Sequence, residues 1–148
     1  VPNITKSKKD LKLKINYMVN DFEKEKITSK YDVIIIFEVL EHLDNWKLFL
    51  KKIKLNLKPN ESLIISTINK NLISKFLTID LAENFLKWIP VNTHNFYKFI
   101  KPKELEYILS ENGFKKIKFA GLKYNLINQK WQISNSTKVN YFCSSFLN

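Results

Sequence analysis

Tyr31-Asp32-Val33-Ile34-Ile35-Ile36-Phe37-Glu38-Val39-Leu40-Glu41-His42 is a continuous apolar run that ends abruptly in two carboxylates and an imidazole. Valine and isoleucine suit a pleated surface, and an apolar run without polar alternation predicts a strand over 33–37 that is buried on both faces of a parallel sheet. In open α/β sheets ligands bind outside the carboxyl ends of the strands, which is where Phe37 and Glu38 fall. Glu41 and His42 follow in the turn toward the next helix. The plain alternative is that the two glutamates solvate a loop and His42 lies at the surface, because short motifs often match by chance.

Working outward, Asp44 is a suitable N-cap for a helix in which Trp46, Phe49, Leu50, Ile53 and Leu57 share one face and Lys47, Lys51, Lys54 and Lys58 the other. Pro59-Asn60 stops that helix, and residues 62–68 form a second apolar strand. Two such strands joined by a helix make a right-handed βαβ unit. Upstream, residues 12–19 alternate enough for another strand, followed by a turn at Asn20-Asp21; residues 1–10 are a polar lead-in.

Residues 69–90 carry Leu72, Ile73, Phe76, Leu77, Ile79, Leu81, Phe85, Leu86, Trp88 and Ile89. Projected on a helix, these cover most of the circumference rather than one stripe, so the segment needs cover. Lys75, Asp80, Glu83 and Lys87 interrupt it, which argues against a bilayer span of about 20 predominantly apolar residues. Three environments fit: a cover over an apolar ligand, a segment lying in a membrane interface with Trp88 at headgroup level, or an internal core helix.

Pro102 opens a helix over 103–112 with Leu105, Ile108 and Leu109 inward, and Asn112-Gly113 closes it. Residues 114–122 and 139–146 are predicted strands joined through a polar connection at Asn128-Gln129, which suggests an antiparallel hairpin at the sheet edge. No internal repeat or low-complexity linker divides the chain, and its length suits about one domain.

The net charge of +11 invites a nucleic-acid hypothesis, yet all 25 basic residues are lysines. Arginine supplies bidentate readout of guanine and phosphate, so a nucleic-acid partner is not expected. Solvated lysines, or attraction to an anionic membrane surface, account for the charge, and 17 asparagines beside many isoleucines suggest a coding bias toward A and T. Cys143 is the only cysteine; it excludes an internal disulfide and is expected to pack as a small hydrophobe. No cleavable signal segment is visible. The chain starts at Val1 rather than Met, so an upstream part is expected to exist.

Several stretches occur in one order and spacing: the 31–42 run, Ser66-Thr67-Ile68-Asn69-Lys70, Pro90-Val91-Asn92-Thr93-His94-Asn95, Lys98-Phe99-Ile100-Lys101-Pro102, Gly121-Leu122-Lys123-Tyr124-Asn125 and Val139-Asn140-Tyr141. From about Ile15 to the end, the chain closely resembles the ubiquinone-biosynthesis O-methyltransferases, which act on polyprenylated catechol or demethylubiquinol intermediates with S-adenosylmethionine. The resemblance implies an α/β fold: a partial Rossmann-like class I methyltransferase sheet, third to seventh strands, with the last strand antiparallel. Residues 1–148 would then be the C-terminal part of a methyltransferase domain, with an apolar insertion at about 69–93.

By position in the family, Phe37 would contact the cofactor, with Asn20 and Asp21 flanking the adenine. Glu38, Glu41 and His42 match the family's site for Mg²⁺ or another divalent ion, and His94 would orient the substrate or accept a proton, against a purely structural role. The resemblance also implies peripheral membrane association and a possible quinone-biosynthesis complex. The expected location is the matrix side of the mitochondrial inner membrane, or the cytoplasmic membrane face in a bacterium. Two departures stand out. The family's glycine-rich cofactor loop has no counterpart, since the chain holds only Gly113 and Gly121, so this stretch alone is expected to bind the cofactor poorly. The alternative is then a remnant that binds a membrane or partner without catalysis. The second departure is Asn60-Glu61, where the family usually has glycines; Asn tolerates the left-handed backbone such a turn needs.

Overall fold

The computed structural model describes residues 15–17, 19, 28–88, 90–125 and 129–148. The strand expected over 12–19 lies largely outside them, and Asn20 and Asp21 lie wholly outside. Among the described residues the chain runs β1 (Tyr31–Phe37), a 3₁₀ turn (Leu40–His42), α1 (Trp46–Asn56) and β2 (Leu57–Ile68). It continues through α2 (Leu72–Lys75), a π-helical segment (Phe76–Phe85), a second 3₁₀ turn (Phe96–Lys98), α3 (Pro102–Glu111), β3 (Phe114–Asn125), β4 (Lys130–Ser134) and β5 (Asn140–Leu147).

The predicted βαβ unit is present: β1 and β2 are parallel, with Val33 opposite Ser62 and Phe37 opposite Ser66. The helix between them starts one residue later than expected. Asn45, not Asp44, is the N-cap, its side chain accepting from the Leu48 N–H at 3.0 Å, while Asp44 pairs with Lys98 at 2.8 Å. Phe49, Leu50 and Ile53 are buried as the helical spacing requires. Leu57 is buried too, but as the first residue of β2. Asn60 takes the left-handed φ of 63°, so asparagine does serve where the family usually has glycine.

The sheet order is β1-β2-β5-β3-β4. β5 runs antiparallel to both β2 and β3, so the expected antiparallel pair exists but β5 is interior rather than at an edge. The reason is its pattern: Tyr141, Cys143, Ser145 and Leu147 are buried at alternate positions, and an alternating strand offers one whole face to a core. The edge belongs to β4, a strand that the sequence reading left inside a polar connection. Most of β4 is exposed, and it is held by backbone pairing to the far end of β3, which leaves no burial signature in its composition.

Leu50, Leu57, Leu63, Ile65, Leu105 and Leu109 lie in one core with Tyr141 and Cys143. α3 begins with Pro102 at its first turn and closes at Asn112, with Gly113 at φ 84°. Burial pushes the Cys143 thiol up to about 12, consistent with a cysteine that packs and does not react. The Tyr141 hydroxyl donates to the Ile100 carbonyl at 3.0 Å, and the Ile100 N–H donates to the Ile68 carbonyl at 3.0 Å. These two bonds draw the segment around residue 100 across the end of β2.

Two burial expectations are corrected. In β1 only Ile36 is fully buried; Val33, Ile35 and Phe37 share the opposite face and are exposed, because alternate residues of a strand point to opposite faces and among the described residues only one face of β1 packs on the core. The apolar stretch beyond Asn69 is not a core helix: Leu72 and Trp88 are each 78% exposed, with Ile73, Phe76 and Phe85 also exposed. Among the described residues no helix is long and apolar enough to cross a membrane.

Candidate active site

The carboxyl end of β1 turns sharply. Glu38 has φ 51°, a left-handed conformation that costs a non-glycine residue roughly 1–3 kcal/mol and persists only when surroundings enforce it. Here β2 enforces it: the Glu38 N–H lies 3.1 Å from both the carbonyl and the hydroxyl oxygen of Ser66. The Ser66 hydroxyl in turn donates to Glu38 Oε1 at 2.7 Å, and the Asn140 amide donates to Oε2 at 3.3 Å. The first glutamate is therefore oriented by the ends of β2 and β5.

The second glutamate sits deeper. Glu41, in the 3₁₀ turn, is 2% exposed. The Thr67 hydroxyl donates to its Oε2 at 2.7 Å, and its Oε1 is buried without a hydrogen-bond partner among the described residues. Burial raises the Glu41 carboxyl to about 7, and the charge of Glu38 adds to the rise. Native interiors seldom leave a carboxylate oxygen unpaired, since the desolvation is uncompensated. An unpaired oxygen beside a like charge is the environment a hard cation relieves, and oxygen donors suit Mg²⁺. Glu38 and Glu41 thus fit two ligands of such an ion.

His42 stands apart from this pair. It is exposed, its carbonyl accepts from Lys98 Nζ at 3.4 Å, and its ring lies 5.8 Å from that of His94. Among the described residues no three His, Cys, Asp or Glu side chains gather as a metal-holding group. The chain therefore brings two members of the expected metal set together and leaves the third beside the other histidine.

His94 is largely buried and its ring also meets Phe99, at 6.2 Å. Its partner is Glu83, whose Oε1 accepts from the His94 main-chain N–H at 2.9 Å and contacts ring Nδ1 at 2.5 Å. Glu83 was read in the sequence only as an interruption of an apolar run. A lone carboxylate surrounded by apolar residues is the signal that could have singled it out. Ser66, Thr67 and Asn140 stood in the stretches that carry the resemblance, with no role attached. Phe37 is exposed at the strand end, edge-on to Phe142 at 5.8 Å, so its outer face is open to a ligand.

A profile of the family described as "Methyltransferase domain" matches residues 3–118. The chain belongs to the methyltransferase domain family. It is 40% identical over 130 residues to the ubiquinone biosynthesis O-methyltransferases of Rickettsia canadensis and Pelagibacter ubique, 88% of this chain and 55% and 54% of theirs. It spans about half the length of the curated relatives it matches. Solved methyltransferases share its fold at low identity. The magnesium protoporphyrin IX methyltransferase of Synechocystis PCC 6803, solved with bound SAH, is 19% identical with a TM-score of 0.62, over 97% of this chain and 57% of that one. A SAM-dependent methyltransferase of Thermotoga maritima, described as a possible histamine N-methyltransferase, is 14% identical with a TM-score of 0.61, over 87% and 62%. The fold expected from the resemblance is thus the fold adopted.

Proposed function

We propose that this chain is the C-terminal part of an O-methyltransferase of ubiquinone biosynthesis, moving a methyl group from S-adenosylmethionine to a phenolic oxygen of a polyprenylated catechol or demethylubiquinol. The observation that carries this assignment is the 40% identity over 130 residues to enzymes of that name. The site supports it, with its carboxylates at the ends of parallel strands where α/β folds bind ligands.

A phenol with a pKa near ~10, by analogy with tyrosine, is mostly protonated at neutral pH and a weak nucleophile. His94 accepts the phenol proton, the oxygen attacks the sulfonium methyl carbon, and the carbon–sulfur bond breaks to leave a neutral thioether. Because the sulfonium is already activated, the protein mainly aligns oxygen, carbon and sulfur in line. Phe37 flanks the cofactor, and Asn20 and Asp21 would flank its adenine. Glu38 and Glu41, with His42 turned toward them from its place beside His94, would hold Mg²⁺ or a similar divalent ion, which would supply positive charge that favours the phenolate.

The exposed Leu72, Ile73, Phe76, Phe85 and Trp88, together with the lysine excess, support a peripheral seat on a membrane, where a polyprenyl tail resides. That surface would be the cytoplasmic membrane face in a bacterium or the matrix face of the inner membrane in a mitochondrion. A quinone-biosynthesis complex is a partner consistent with that seat.

Calorimetric titration of S-adenosylhomocysteine into the 148-residue chain, with and without Mg²⁺ and a catechol, tests the assignment. Because the chain holds no glycine-rich cofactor loop, weak uptake by it alone is expected; micromolar binding that tightens with Mg²⁺ and catechol together would mean that the site survives without that loop. A folded chain that takes up no S-adenosylhomocysteine would confine catalysis to a longer chain, and a longer chain carrying the upstream part that also took up none would sink the assignment and favour a membrane- or partner-binding role.

A further inference from the structure

Glu83 and His94 are eleven residues apart, and two contacts to one carboxylate oxygen join them. We propose that Glu83 is a positioning residue for His94, its carboxylate holding both the main-chain N–H and the ring Nδ1–H so that the imidazole presents a free Nε2 toward the substrate. The proposal rests on the assignment of His94 as the group that accepts the phenol proton, and it identifies which nitrogen does so and what holds it there.

The burial pattern of the π-helical segment is the first support. Phe76 and Phe85 lie in the open, while Glu83 at 1% exposure is its buried residue. This inverts the usual surface helix, in which the charged face is wet and the apolar face dry. A carboxylate withdrawn from water is costly unless hydrogen-bonded, and here both donors come from one residue. The segment is also π-helical over ten residues, a rare geometry that tends to mark functional sites.

The second support is the chemistry of the ring. A neutral imidazole has one N–H donor and one acceptor nitrogen. A carboxylate oxygen can only accept, so the nitrogen 2.5 Å away is the donor, and the lone pair is left on Nε2. The ring cannot turn freely, because Phe99 meets it edge-on and the main chain of the same residue is fixed to the same oxygen. Beside it stands His42, one residue beyond Glu41.

The chain contains only two histidines, so ¹⁵N-histidine labelling gives an NMR spectrum of two rings, and His42→Gln assigns them. At about pH 8, His94 in the parent chain is expected as the Nδ1–H tautomer with an unprotonated Nε2. Glu83→Gln keeps that tautomer, because the carboxamide oxygen still accepts. Glu83→Ala loses it to the Nε2–H form that free histidine favours. The proposal is overturned by an Nε2–H ring in the parent chain, a measurement that needs no variant to fold. It is overturned equally by an unchanged Nδ1–H ring in a folded Glu83→Ala. The measurement uses neither cofactor nor substrate, so a failure to bind S-adenosylhomocysteine bears on the methyltransferase assignment alone and leaves this result readable.

Discussion

The Thr67 hydroxyl donates to Glu41 Oε2 at 2.7 Å and leaves Oε1 buried with no hydrogen-bond partner among the described residues. One residue at the end of β2 thus satisfies half of a carboxylate that the 3₁₀ turn has carried out of water.

That half-satisfied carboxylate makes stability depend on pH. Its carboxyl has an ordinary value of 4.5 and is raised to about 7 in the folded chain. Between those values the folded state holds a proton that the unfolded state has released, so stability falls as pH rises through this window. The full loss is on the order of 3 kcal/mol above about pH 7, at 1.36 kcal/mol per pH unit. Urea titrations across that range should show the decline, and Glu41→Gln should flatten it. A Glu41→Gln chain with the same pH slope as the parent would sink this account.

If Glu38 and Glu41 accept a divalent ion, Mg²⁺ should offset the same loss. At roughly 100 times its dissociation constant a ligand bound only to the folded state adds about 2.7 kcal/mol. The melting temperature at alkaline pH should therefore rise with Mg²⁺ in the parent chain and stay flat in Glu38→Ala. A rise of equal size in both would place the ion elsewhere.

The exposed apolar residues after Asn71 should matter for membranes rather than for folding. Leu72→Ser with Phe85→Ser touches two exposed side chains, and surface substitutions of this kind usually stay within about 0.5 kcal/mol each. Burying a Leu or Phe side chain is worth roughly 1.5–3 kcal/mol, so binding to vesicles containing anionic lipid should weaken at least about tenfold. Co-sedimentation measures this, and equal binding by parent and variant would remove the membrane role from this segment.

Gly121 is required by close approach. A Cβ added there would lie 1.7 Å from the Ser136 carbonyl oxygen, far inside contact distance. Gly121→Ala should cost about 1–3 kcal/mol through backbone displacement and loosen the pairing of β3 with β4. Hydrogen exchange across residues 130–134 would report the loosening. Unchanged protection there would show that the chain after β4 can move aside freely.

Most of the element plan was legible because it depends on neighbours along the chain. The 31–37 run, the one-sided spacing of Phe49, Leu50 and Ile53, the Pro102 start and the Gly113 stop are local signals, each tied to a backbone preference or a helical or strand period. The same locality explains the misses. Asp44 and Asn45 are both competent caps, and Lys98, distant in sequence, took Asp44 for an ion pair. β4 carries no burial pattern, so only its pairing partner reveals it.

For the site, the grouping of Glu38 with Glu41 was visible in a four-residue span, but their unequal environments were not. Ser66, Thr67 and Asn140 come from other strands, and which side chains meet there follows from strand order and register. The insertion of β5 between β2 and β3 is a long-range choice, as are the outward turn of the apolar helix and the inward turn of Glu83 onto His94. Periodicity along a chain states which faces exist; only the closure of contacts between distant segments decides which face becomes the interior, because burial is a property of the assembled whole.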